Sequence, residues 1–130
     1  MRSPVSKFYD QLKKEGKINV FKFEKKDEPY RDFVYVKDAV DMTFYLMKKK
    51  KYGLYNIGTG KSETFIKIAQ ILINKLNNGK IEFIKFPKHL NNKYQFFTKA
   101  NISEIRKLGY NKKIFNIEDG IKSYIKGLQK

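Results

Sequence analysis

"YNIGTGKSETF", residues 55–65, is the joint on which the reading of this chain turns. Tyr55 and Ile57 alternate as in a strand, Gly58 and Gly60 interrupt it, and Phe65 opens a run with helical spacing. The glycine pair followed by Lys61-Ser62 invites a phosphate-cradle reading, but the spacing fits neither common loop. A Walker A loop needs Gly, four residues, then Gly-Lys-Ser/Thr, and the leading position here is Tyr55. The dinucleotide fingerprint G-x-G-x-x-G, started at Gly58, needs its third glycine at Glu63, where a carboxylate would repel a pyrophosphate. A strand–turn–helix joint is the reading that survives, with phosphate binding as the alternative.

Outward from that joint, the other segments alternate between the two periodicities. Ser3-Pro4 makes a helix start, followed by Val5, Phe8, Tyr9 and Leu12 on one face and Gly16 as a stop. "INVFKF" (18–23) reads as a strand, "EKKDEPY" (24–30) as a charged loop and "FVYV" (33–36) as a short strand. Asp38 should cap a helix that turns Ala39, Val40, Phe44 and Met47 inward, and "LYNI" (54–57) should be a buried strand. Ser62 or Thr64 caps the next helix, with Phe65, Ile68, Ala69, Leu72 and Leu76 inward. "IEFIKF" (81–86) is a strand ended by Pro87, and an irregular stretch follows. The helix "NISEIRKLGY" (101–110) and a last helix capped by Asn116, with Ile117, Ile121, Tyr124, Ile125 and Leu128 inward, complete an α/β chain read as one domain over residues 1–130.

Composition narrows the function classes. There is no cysteine, so disulfides and thiolate metal sites are excluded, as suits a reducing compartment. No apolar run approaches the ~18 residues of a membrane span, and the chain reads as cytoplasmic, with no membrane partner. The formal charge of +16 raises the question of nucleic acid. Arginine, however, supplies only Arg2, Arg31 and Arg106 of the 29 basic residues, and base readout favours arginine. An A/T-rich codon bias, visible also in the abundance of Ile, Asn, Phe and Tyr, is the plainer source of so many lysines. Lys48–Lys51 closes a helix, where cations complement the macrodipole. A small nucleic-acid binder is kept only as an alternative.

Candidate chemistry is sparse. No nucleophile–base pair is evident. His89, the only imidazole, reads as a surface loop residue, and Asp38 and Asp41 have no His or Cys near them to complete a metal site. Arg31 stands at the lip of a strand, where its planar fork suits a diphosphate, although a surface pair with Asp32 or Glu28 fits equally well. Tyr94 lies in a loop too long for a plain connector, so "KYQFF" either aims at a ligand or packs a core.

Three stretches together carry a family resemblance: "RDFVYVKDAVDMTFYLM" (31–47), "GLYNIGTGKSETF" (53–65) and "HLNNKYQFFTKANISEIRKLGY" (89–110). They resemble the C-terminal part of extended short-chain dehydrogenases acting on nucleotide sugars. The last stretch is most similar to the ADP-glyceromanno-heptose 6-epimerases within that group, and "MRSPVSKFYDQL" is similar to the helix that follows their catalytic segment. The resemblance spans essentially the whole chain and implies a C-terminal substrate-binding lobe whose Rossmann half is missing, beginning at an internal methionine. It implies an isomerase that epimerises an ADP-heptose at C6″ for lipopolysaccharide core synthesis. NADP would be held by the missing half, and the full enzyme would be a homo-oligomer. Another nucleotide-sugar epimerase or dehydratase lobe, or a non-catalytic split or remnant subunit, is the alternative.

The family's Tyr-x-x-x-Lys pair and further lysine match no position here, so no catalytic residue is assigned. By resemblance, Ser3 and Lys7 lie on the helix lining the sugar site, with Lys7 where the family pattern has histidine. Phe21, Lys22, Phe23 and Glu24 match the segment that holds the nucleotide, Arg31 the diphosphate arginine, and Tyr94 a tyrosine on the same ligand. On this reading "NIGTG" is a packing joint and a family marker, and the face that meets the missing half should be apolar and exposed.

Overall fold

The computed structural model describes residues 3–23, 28–90 and 94–128. The chain divides into two compact units, Met1–Tyr30 with Glu63–Phe97 and Arg31–Ser62 with Thr98–Lys130.

The first unit is a two-stranded parallel sheet covered by two helices. Strand β1 (Lys17–Lys22) pairs with β4 (Lys80–Lys85) in unbroken register from Lys17↔Lys80 to Lys22↔Lys85. Parallel strands need a long crossover, and helix α3 (Phe65–Leu76) lies within it. Pro4 and the left-handed Gly16 bound helix α1 (Pro4–Glu15). Helix α3 begins at Thr64, the second of the two expected caps, whose hydroxyl accepts from the Lys67 amide at 3.1 Å. The apolar faces of these elements interlock as Phe8, Leu12, Ile18, Val20, Ile68, Ala69, Ile71, Leu72 and Phe86. The stretch after β4 contains a short 3-10 turn (Lys88–Leu90). Farther on, the Tyr30 amide donates to the Phe96 carbonyl at 2.8 Å.

The second unit is helical, with turns between. Helix α2 (Val36–Lys48), helix α4 (Ser103–Lys107) and helix α5 (Ile117–Leu128) carry it. Met42, Ile105 and Tyr110 form its centre, packed by Tyr45, Leu46, Ile57, Ile102 and Ile114. Asn116 caps α5 as its position suggests, its side-chain oxygen accepting from the Asp119 amide at 2.8 Å. The two-residue strands β2 (Tyr30–Arg31) and β3 (Glu63–Thr64) lie where the chain passes between the units.

Five local expectations are corrected here. "FVYV" is not a strand: residues 32–35 are irregular and α2 starts at Val36. Asp38 does not cap α2, because it lies within the first turn, and its carboxylate accepts from the Phe115 amide at 3.0 Å. "LYNI" forms no strand, and Leu54 is 99% exposed rather than buried. On α2 the buried residue is Met42, while Val40, Phe44 and Met47, expected inward, are exposed. Leu128 at the end of α5 is likewise exposed. Helices close their hydrogen bonds locally, whereas a strand needs a neighbour, so apolar β-rich stretches without one stay irregular.

Candidate functional site

The GTG turn answers the question of phosphate binding through its own hydrogen bonds. Asp32 Oδ1 accepts from the Thr59 amide at 2.9 Å and from its hydroxyl at 2.6 Å. Asp32 Oδ2 accepts from the Gly60 amide at 2.9 Å and the Ala100 amide at 3.1 Å. A carboxylate of the chain itself thus occupies the concavity that a phosphate would fill. Gly58 must be glycine there, because a Cβ would come within 2.5 Å of the Ala100 Cβ and 2.9 Å of Asp32 Oδ2. Gly60, at φ 73°, adopts the left-handed backbone that the turn requires. The Asp32 amide also donates to the Thr98 hydroxyl at 3.2 Å, and the Ser62 hydroxyl to the Thr98 carbonyl at 2.7 Å. Three distant pieces of chain meet at one aspartate. Beside the turn, an open depression is lined by Gly60, Lys99, Ala100 and Arg106. The Arg106 guanidinium is turned to its own helix end, donating to the Tyr110 and Lys112 carbonyls at 2.6 and 2.8 Å.

In the first unit, aromatic rings from three segments converge. The β1–β4 register runs to Lys22↔Lys85, so Phe23 and Phe86 leave the sheet side by side, with centroids 4.7 Å apart. Phe86 also meets Phe21 edge-on at 5.3 Å and Tyr94 at 5.0 Å. Tyr94 and Phe96 are 5.5 Å apart, and both lie near Phe23, at 5.9 and 5.4 Å. Phe86 is buried, and the other four are half-buried. Ring pairs at these separations contribute about 0.5–1.5 kcal/mol each beyond their burial. A half-buried aromatic cluster of this kind offers a stacking platform for a flat ring.

Phe21, Phe23 and Tyr94, singled out from the sequence, therefore come together, while Lys22 is exposed on the strand between the two phenylalanines. Glu24 lies outside the described residues. Ser3 and Lys7 are exposed on α1, one turn apart and away from buried Phe8 and Leu12. Ser3 takes the N-cap position, yet its hydroxyl does not close the cap, which corrects the expected capping role. Arg31 is half-buried at the start of the second unit. Its neighbour Asp32 is committed to the GTG turn, which gives that carboxylate a role other than a surface pair. Sequence reasoning left Phe96, within "KYQFF", open between ligand contact and core, and did not place Phe86 in a site. The signal for Phe86 was the end of a strand abutting Pro87, and for Phe96 the doubled ring in "YQFF".

Electrostatics is local. Asp41 accepts from the Tyr110 hydroxyl at 2.8 Å and from Lys112 Nζ at 2.7 Å, and these bonds, Lys112 foremost, lower its pKa. Burial, with help from Asp41, pushes the Tyr110 phenol up to about 12. His89 is exposed in the 3-10 turn. Among the described residues, no group of three or more His, Cys, Asp or Glu is placed to hold a metal ion. No helix among them is long and apolar enough to cross a membrane.

The chain is similar in sequence and fold to known proteins. The family model described as "NAD dependent epimerase/dehydratase family" matches residues 1–58. The ADP-L-glycero-D-manno-heptose-6-epimerase of Fusobacterium nucleatum is 40% identical over 137 residues, covering 96% of this chain and 41% of that protein. The enzyme of the same name from Brachyspira hyodysenteriae is 34% identical and covers 100% of this chain and 41% of its own length. The crystal structure of Helicobacter pylori ADP-L-glycero-D-manno-heptose-6-epimerase superposes with a TM-score of 0.82 at 28% identity, covering 99% of this chain and 38% of that one. The chain thus spans about two-fifths of the length of the curated relatives it matches. Along essentially all of its residues the chain is similar in sequence and fold to these epimerases, and its first 58 residues match the model of the NAD dependent epimerase/dehydratase family.

Proposed function

We propose that this chain is the substrate-gripping lobe of a nucleotide-sugar epimerase that interconverts ADP-D-glycero- and ADP-L-glycero-D-manno-heptose at C6″. The observation that carries the reading is the likeness, over the whole chain, to proteins bearing that epimerase name. The ring cluster supports it, because Tyr94, far from Phe21 and Phe23 in sequence, joins them around Phe86 as side chains on one ligand would. Phe21 to Glu24 hold the nucleotide, Arg31 grips the diphosphate, Tyr94 closes on the same ligand, and Ser3 and Lys7 line the sugar. The product feeds lipopolysaccharide core assembly in the cytoplasm.

The lobe's contribution is positional. Fixing the ADP end while the sugar stays free to turn lets either face of C6″ meet the reactive group, and such holding replaces a costly encounter by a local one. The oxidation and re-reduction call for NADP. The described residues do not fit that group: the GTG amides are occupied by Asp32, and Glu63 stands where the fingerprint needs glycine. We therefore assign NADP and the catalytic Tyr and Lys to a Rossmann half outside these 130 residues, in cis or as a separate subunit, and the 130 residues alone to an inactive single lobe. The relatives' greater length and the exposed stripe of Val36, Val40, Phe44 and Met47 on α2 support such a partner. The assembled enzyme is a homo-oligomer.

Calorimetric titration of the chain with ADP tests the gripping role. ADP should bind, Arg31→Glu should weaken it about tenfold or more, and the chain alone should show no epimerase turnover. Turnover by the isolated chain, or ADP affinity indifferent to Arg31→Glu, would refute the assignment.

A further inference from the structure

We infer that Phe86 is a positioning residue for the nucleotide base, holding the rings of Phe21, Phe23 and Tyr94 in the arrangement that receives it. The inference rests on the ADP-gripping role proposed above. Among the five rings of the cluster, Phe86 alone is buried, which marks it as the floor rather than the contact surface. It touches all three of the proposed ligand-facing rings, at 5.3, 4.7 and 5.0 Å. Two of these contacts are edge-to-face and the third is tilted, so a single ring fixes three others that come from β1 and from the segment after the 3-10 turn.

The local chain explains why Phe86 can do this. It follows β4 directly, one step beyond the last paired residue Lys85, and Pro87 then ends any continuation of the strand. The backbone beneath the ring is therefore set by the sheet, and the Tyr30–Phe96 hydrogen bond holds the opposite wall. A ring that is buried, anchored by a ladder and surrounded by half-buried rings acts through its neighbours. Its loss should disturb recognition of a flat base more than recognition of phosphate.

The test uses two probes, ADP and inorganic pyrophosphate, titrated into the full 130-residue chain. Phe86→Met keeps side-chain volume and apolarity while removing the ring, and Phe86→Leu serves if that variant does not give the native far-UV spectrum. ADP affinity should fall about tenfold, the value of one or two ring contacts, while pyrophosphate affinity stays unchanged. Phe86→Tyr, which restores a ring, should recover ADP binding. Equal weakening of both probes, or ADP binding unaffected by Phe86→Met, would overturn the inference while leaving the gripping role standing. Absence of ADP binding by the unsubstituted chain would instead remove the gripping role, and this inference with it.

Discussion

Replacing Asp32 by alanine should unfasten the GTG turn. Its carboxylate receives four hydrogen bonds: from the Thr59 amide and hydroxyl and from the Gly60 and Ala100 amides, at 2.6 to 3.1 Å. A hydrogen bond to a charged group contributes about 1.5–3 kcal/mol net, and an unpaired buried donor costs about 1–3 kcal/mol. Asp32 is half-buried, so water reaches part of the vacated space, and the four together should cost about 3 kcal/mol rather than their sum. That is a large share of an ordinary domain's stability of roughly 5–15 kcal/mol. Amide hydrogen exchange is the discriminating assay, because it reads the three amides individually. Their exchange should accelerate about a hundredfold, two decades for 3 kcal/mol. Asp32→Asn retains one acceptor oxygen and turns an NH₂ toward the remaining donors, so it should rescue the Thr59 pair or the Gly60–Ala100 pair, never both. Unchanged protection at Gly60 and Ala100 in Asp32→Ala would refute the claim that this carboxylate closes the turn.

Three further outcomes follow from the same structure. Gly58→Ala drives a methyl into Ala100 and Asp32, so a urea melt should show a loss of about 1–3 kcal/mol, and an unchanged midpoint would contradict the tight approach. The Tyr110 phenol has its pKa raised from 10.0 to about 12. A group raised on folding stabilises fully below its unfolded pKa, so this contribution should be intact below about pH 10 and vanish between about pH 10 and 12. Tyr110→Phe should flatten the alkaline limb of a pH-dependent melt relative to the unsubstituted chain, and parallel limbs would argue against it. Finally, Phe44→Lys with Met47→Glu on the exposed stripe of α2 should reduce self-association in sedimentation runs without lowering the melting temperature. A parent chain that sediments as a monomer at every concentration would contradict that reading of the stripe.

Much of this architecture was legible because helices carry their own instructions. Pro4 and Gly16 around α1, Thr64 ahead of α3 and Asn116 ahead of α5 each act within a few residues, and each element formed where those residues put it. Strands β1 and β4 were legible as strands, since Ile18 and Val20 alternate with Lys17 and Asn19, but their parallel pairing across a helical crossover shows only in the fold. Asp32 was not. Nothing local says that an aspartate after an arginine will close a turn 27 residues away, since that bond exists only once three segments have met. The ring cluster lay between these cases: the single residues stood out, but Phe86, which joins them, looked like ordinary core.

Three of the misread stretches share a physical pattern. "FVYV" and "LYNI" have strand composition and no ladder, and α2 is apolar on two faces of which only the Met42 face is packed. All three lie between Arg31 and Ser62, in the second unit. A strand-forming stretch that stays irregular lacks a backbone partner, and an apolar helix face left in water lacks a side-chain partner. Leu54 and Phe44 are thus residues chosen for burial and left exposed, the former at 99% and the latter at 54%. Chance scattering of exposed apolar residues would not set four of them at positions 36, 40, 44 and 47, the spacing of a single helical stripe. On the reading proposed above, one neighbour would supply a strand edge to 54–57 and cover the α2 stripe. The Rossmann half proposed above is such a neighbour, since a parallel sheet grows by adding strands and buries its helices on both faces.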